Sequence, residues 1–137
     1  MTDAIGVDFG TTNTVVAQLA TDGGARLVEI AGSPTFRSAL SFARPPMDPH
    51  GRVIEAGPFA IEAYVEDPLE TRFIQSFKSY AASPLFTETR ILERRYRFED
   101  LLAVFLLNLK RDAREAMADL PARVIVGRPV AFAGLQH

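Results

Sequence analysis

Apolar and polar residues alternate almost from the start of the chain, with Ile5, Val7 and Phe9 separated by Gly6 and Asp8. This period of two marks a strand with one covered face. The apolar run Val15-Val16-Ala17 follows a short polar stretch, so the spacing predicts two antiparallel strands, Ala4 to Phe9 and Thr14 to Leu19, joined by a tight turn. A third strand is expected at Arg26 to Ile30, after Thr21-Asp22-Gly23-Gly24, which has hairpin-turn composition. The chain therefore opens as an antiparallel meander. The pattern then weakens, with Gly32-Ser33-Pro34, Pro45-Pro46, Asp48-Pro49 and Gly57-Pro58 acting as breaks. Short strands are expected at Ala39 to Phe42 and Val53 to Glu55, a short helix at Phe59 to Val65, and a hairpin at Arg90 to Phe98. Arg72 to Ile74 and Phe77 to Tyr80 place apolar groups on either side of Lys78. From Glu99 to Met117 the period changes: Leu102, Leu106, Leu109, Ala113 and Met117 recur at helical spacing, and Leu101 and Phe105 widen the apolar face. Glu99 and Asp100 in the first turn and Arg114 near the end suit the helix dipole. Pro121 closes this helix, and Arg123 to Val126 reads as a strand stopped by Gly127-Arg128-Pro129.

This order of elements predicts an α/β fold: a three-strand meander, an inserted small subdomain, a crossover helix, and a fourth strand. If that last strand lies parallel beside the first, the right-handed crossover rule sets the face on which the helix packs. Ligands of open α/β sheets bind beyond the carboxyl ends of the strands, so Asp8-Phe9-Gly10 and Gly127-Arg128-Pro129 would flank one cleft. The expected division is a core lobe of residues 1–38 and 96–137 with residues 39–95 inserted. At 137 residues and 47% hydrophobic content, one domain with its own core is the expectation. A net charge of −2 without a dense Lys/Arg tract argues against a nucleic-acid partner. The apolar run Leu101 to Leu109 is too short to span a bilayer. Met1-Thr2-Asp3 has no basic leader character, and a cytoplasmic location is expected.

The chemistry concentrates after the first strand. Gly10 permits close approach of a ligand to the backbone. Thr11, Thr12 and Asn13 add hydroxyls, a side-chain amide and successive N–H groups, a donor set suited to phosphate oxygens. Asp8 at the strand end suits a hydrated Mg²⁺, which keeps several waters and takes few carboxylates. The competing reading is a polar hairpin in which Asp and Gly serve only the turn. With no Cys and only His50 and His137, neither a disulfide framework nor a His- or thiolate-bound metal is expected.

In this order the motifs resemble the 70-kDa heat-shock chaperones of the actin-like ATPase superfamily, which have a ribonuclease-H-like lobe. Val7-Asp8-Phe9-Gly10-Thr11-Thr12-Asn13 resembles the family's first phosphate motif, and Phe77-Lys78-Ser79-Tyr80 looks like the segment bearing its catalytic lysine. The helix from Glu99 and the stretch Val124-Ile125-Val126-Gly127-Arg128-Pro129-Val130-Ala131-Phe132 resemble the next two elements. The Gly-Arg-Pro form is most similar to a divergent, chaperone-like bacterial branch.

The resemblance implies that Asp8 orders water around Mg²⁺. It implies that Gly10, Thr11, Thr12 and Asn13 contact the phosphates of ATP or ADP, and that Lys78 reaches the attacking water or the terminal phosphate. Pro129 would link nucleotide state to the rest of the molecule, or merely end a strand. Arg128 is a second phosphate cation or an ordinary surface group, and Lys78 without the resemblance is an ordinary exposed lysine. Arg37, where the family has a proline, and Asn13, where it has an aromatic residue, depart from the pattern. The second phosphate hairpin, the adenosine pocket and the peptide-binding domain of the family have no counterpart in these residues. A fragment with weak ATP binding and no turnover is therefore expected, with client polypeptides or co-chaperones engaged through regions it lacks and self-association through the last strand. The alternatives are a sugar or small-metabolite kinase of the same superfamily and a non-catalytic interaction module or decayed fragment.

Overall fold

The structure, a computed structural model, describes residues 2–20, 22–116 and 123–127. It is a mixed α/β arrangement. The main sheet has the strand order β10-β1-β2-β3, with β1 at Thr2–Phe9, β2 at Asn13–Ala20, β3 at Ala25–Leu27 and β10 at Arg123–Gly127. β1 and β2 are antiparallel, with Phe9 opposite Thr14 and Val7 opposite Val16, as the two alternating runs require. β10 lies parallel to β1, with Ile5 opposite Val124 and Asp8 opposite Gly127. The expected placement of the last strand is thus observed, and the carboxyl ends of both strands lie at the same end of the sheet.

The third strand is shorter than expected. Beyond Leu27, Val28 still donates to the Val16 carbonyl at 2.8 Å, but Ile30 instead pairs with Ser33 in an isolated bridge. Ala31 and Gly32 both take positive φ there, so the chain turns away from the sheet. It returns as β4, Phe36–Arg37, which pairs with the start of β2 and was not foreseen.

After Ser38 the chain enters a second sheet, ordered β6-β5-β7, from β5 (Ala39–Ala43), β6 (Val53–Ala56) and β7 (Thr71–Gln75). Helix α1, Pro58–Glu66, packs on this sheet and starts at Gly57. Gly57 has φ +64°, and a Cβ there would run into the ring of Phe36. A 3-10 helix, Phe77–Ala81, follows β7, and a small hairpin pairs β8 (Thr89–Ile91) with β9 (Arg94–Tyr96). The segment read as apolar flanks of Lys78 is therefore a strand followed by a tight helical turn.

Helix α2, Phe98–Ala116, packs against the main sheet through Phe105, whose ring meets Phe9 and Phe36. Its expected span holds to within a residue at its start, and Met117 and Pro121 lie outside the described residues. The buried stripe differs: Leu101, Phe105, Leu109 and Ala113 are its core positions, while Leu102 and Leu106 are only partly buried. The helix is rotated because Phe105 sits in an aromatic cluster, with ring centroids 5.4 Å from Phe9, 5.7 Å from Phe36 and 5.6 Å from Phe77. A ring buries more apolar area than a leucine and sets the helix face. Arg111 of α2 reaches Glu55 of β6 at 2.9 Å and Asp112 at 3.2 Å. Burial lowers its basicity, but these acidic partners outweigh that and raise it.

Candidate functional site

The loop between β1 and β2 is closed by its own backbone. Gly10 donates its N–H to the carbonyl of Asn13 at 3.0 Å. A Cβ on Gly10 would collide with that same carbonyl oxygen, so the turn requires glycine. Thr11, Thr12 and Asn13 are exposed, while Thr14 is fully buried.

Two faces of the sheet meet at this loop. Directly opposed residues share a face, and so do residues two apart on one strand. Asp8 is opposite Val15, and Asn13 is opposite Arg37, so Asp8, Asn13 and Arg37 lie on one face, all three exposed. Phe9, Thr14 and Phe36 lie on the other, buried beneath α2. The Phe9 ring carries the second half of the site: its centroid is 5.3 Å from that of Phe77. Phe77 is the buried first residue of the 3-10 helix, and Lys78 is the next. The Lys78 Nζ lies 5.9 Å from the centroid of Phe9, within the range of a cation–π contact.

A lysine distant in sequence is thus brought against the residue that precedes Gly10. The loop has the Asp8 carboxylate and Arg37 on one side and the Lys78 ammonium on the other. Among the described residues neither Asp8 nor Lys78 forms an ion pair. Lys78 and Asp8 do not touch each other; what joins them is the chain through Phe9.

Two further residues belong to this place. Arg37, noted in the sequence only as a departure from a pattern, stands opposite Asn13 and adds a cation to the open face. Ser38 lies between the two sheets and ties them to the loop: its Oγ donates to the Gly10 carbonyl at 2.7 Å and its N–H donates to the Thr12 carbonyl at 2.9 Å. No spacing rule singles it out, because its partners come from the loop, from β2 and from the turn after β7.

Arg128 and Pro129 lie outside the described residues. Among the described residues no group of three or more His, Cys, Asp or Glu gathers to hold a metal. Asp8 is a lone exposed carboxylate at the end of β1. A groove of about 640 Å³ lies elsewhere, between α2 and the β1–β10 face, lined by Ile5, Val7, Leu106, Leu109, Val124 and Val126. It is apolar and does not include Asp8, Gly10 or Lys78. No helix among the described residues is long and apolar enough to cross a membrane. Compared with models of known protein families, the chain matches none.

Proposed function

We propose that Asp8, the loop Gly10 to Asn13 and Lys78 form the phosphate-binding part of a nucleotide site. On this reading the chain is the N-terminal portion of an actin-like ATPase lobe of the heat-shock-70 type, using ATP and Mg²⁺. The observation that carries it is the approach of Lys78 to Phe9, since a loop serving only as a turn has no need of a cation delivered from a second sheet. Phosphoryl transfer is chiefly positioning and charge neutralisation, and the groups at hand are of those kinds. The exposed donors of Thr11, Thr12 and Asn13 would hold phosphate oxygens, and Lys78 would meet their charge. Bound Mg²⁺, held through water by Asp8, would supply further neutralisation. Asp8, the loop and Lys78 would supply only the first phosphate motif and the lysine of such a site, so binding without measurable turnover is expected of the chain by itself. Binding that is not stronger in the transition state does not accelerate the reaction.

The test is a titration of ¹⁵N-labelled chain with Mg·ATP, followed through its backbone amides. The amides of Thr11 to Asn13 are expected to move first. Lys78→Ala should raise the Kd about 3- to 10-fold, as expected of a partly buried charged contact worth about 1 kcal/mol, with the melting temperature nearly unchanged. Loop amides that stay in place at millimolar nucleotide would overturn the reading.

A further inference from the structure

We infer that Ser38 is a positioning residue for phosphate binding: its side chain sets the Gly10–Thr11 peptide so that the Thr11 N–H faces the ligand. Its backbone joins that loop to the segment carrying Lys78. The inference rests on the nucleotide reading for its purpose, but its geometry stands apart from it.

Ser38 is the single residue between β4 of the main sheet and β5 of the second sheet, and it is 1% exposed. Its hydroxyl has two neighbours, the Gly10 carbonyl at 2.7 Å and the Thr14 hydroxyl at 2.9 Å. A carbonyl only accepts and a hydroxyl has one proton. The Ser38 proton is therefore committed to Gly10, and the Thr14 proton must point to Ser38. Thr14 is itself fully buried, so this chain of donors, Thr14 to Ser38 to Gly10, has one direction.

The consequence for the loop follows from peptide geometry. The described chain has no cis peptide bonds, and in a trans peptide the C=O and the following N–H point opposite ways. The Gly10 carbonyl is drawn toward the buried face where Thr14 and Ser38 lie. The Thr11 N–H is consequently turned to the open side, where a phosphate oxygen would approach it. Without the Ser38 hydroxyl, the Gly10 carbonyl would lose its partner and that peptide its orientation.

The backbone of Ser38 reaches the other half of the site. Its N–H bonds to the Thr12 carbonyl at 2.9 Å, and its carbonyl accepts the N–H of Ser76 at 3.3 Å. Ser76 takes a left-handed conformation, φ 57° and ψ 30°, two residues before Lys78. Non-glycine residues enter that region only where their surroundings hold them. Ser76 is held from both sides, by Ser38 and by Ser79, whose Oγ donates to the Ser76 carbonyl at 3.0 Å. One buried residue thus touches the phosphate loop at two points and the lysine segment at a third.

The test compares wild type, Ser38→Ala, Ser38→Cys and Thr14→Val as full-length ¹⁵N-labelled chains. Without ligand, Ser38→Ala should displace the Thr11 amide resonance, whereas Thr14→Val, which leaves the Ser38-to-Gly10 bond in place, should leave it close to wild type. With Mg·ATP, Ser38→Ala should raise the Kd about 5- to 10-fold, the loss expected for one hydrogen bond, and Thr14→Val less than about 3-fold. If Ser38→Ala does not fold, Ser38→Cys carries the same comparison, because a thiol keeps the volume and is a weak donor. A folded Ser38 variant with the wild-type Thr11 resonance would overturn the inference, as would Thr14→Val displacing that resonance as far as Ser38→Ala does. If wild type ignores Mg·ATP, the nucleotide reading fails alone, and the ligand-free comparison still decides the role of Ser38.

Discussion

At the scale of single residues, the site depends on contacts whose chemistry leaves little choice of side chain. Gly10 is the clearest case. The space a Cβ would need is taken by the Asn13 carbonyl oxygen, and that oxygen accepts the hydrogen bond that closes the loop. Gly10→Ala must therefore open the turn or push Asn13 outward. The expected cost is about 1–3 kcal/mol, the range for forcing extra volume into a filled place, measured by denaturant unfolding. The amides of Thr11 to Asn13 should shift in the same variant, and an unchanged loop with unchanged stability would show that the turn tolerates a side chain. Gly10 was legible in the sequence because a glycine at the end of a strand marks a tight turn, whereas Lys78 was singled out only by a resemblance, its residue type alone reading as an ordinary surface lysine. The role of Ser38 was not legible: the resemblance marks it only as the serine after Arg37, and its task appears once folding places a glycine carbonyl and a buried threonine beside it. Arg37 was visible only as a departure, and its place opposite Asn13 depends on β4, whose two residues are too few to produce a period.

At the scale of elements, α2 shows where periodicity informs and where it stops. Its length, polarity and dipole-compatible ends were legible because a long amphipathic pattern averages over many positions. Its rotation was not, since Leu101, Leu102, Phe105 and Leu106 offer two overlapping apolar stripes. The choice between them is made by tertiary packing, chiefly by Phe9, Phe36 and Phe77 around Phe105. The two stripes make different predictions. Phe105→Ala should cost about 3–5 kcal/mol, as expected for a buried aromatic ring replaced by a cavity. Leu102→Ala, at a partly buried position, should cost under about 2 kcal/mol. Equal losses in urea unfolding would restore the stripe centred on Leu102. The same cluster links stability to the site, because Phe9 and Phe77 are the immediate neighbours of Gly10 and Lys78. Phe105→Ala should consequently also loosen the spacing between loop and lysine, and weaken Mg·ATP binding even though Phe105 touches no proposed ligand.

At the scale of the whole molecule, the composition of β10 and its position do not agree. Parallel strands with apolar residues on both faces belong to sheet interiors covered on both sides. Val124, Ile125 and Val126 have that composition, yet they are 52%, 50% and 48% exposed at the end of the strand order β10-β1-β2-β3. Among the described residues no strand lies beyond β10 in the sheet. Val124 and Val126 also line the apolar groove against α2, so one strand presents both open hydrogen-bonding groups and open apolar area. Such an edge is a template for pairing with another chain, and an edge lysine is the usual remedy. Sedimentation of the wild-type chain should accordingly show a mass that rises above the 15.1 kDa monomer with concentration, while Ile125→Lys stays at the monomer mass. Ile125 suits the test because it lies on the face opposite Val124 and Val126, so the groove and the packing of α2 are left intact. The same edge borders the proposed site, since Gly127 stands opposite Asp8. If chains pair through β10, their association should therefore change Mg·ATP affinity with protein concentration in the wild type and not in Ile125→Lys. Association that persists in Ile125→Lys would move the contact away from β10, and a wild type that remains monomeric at high concentration would show that this edge is covered.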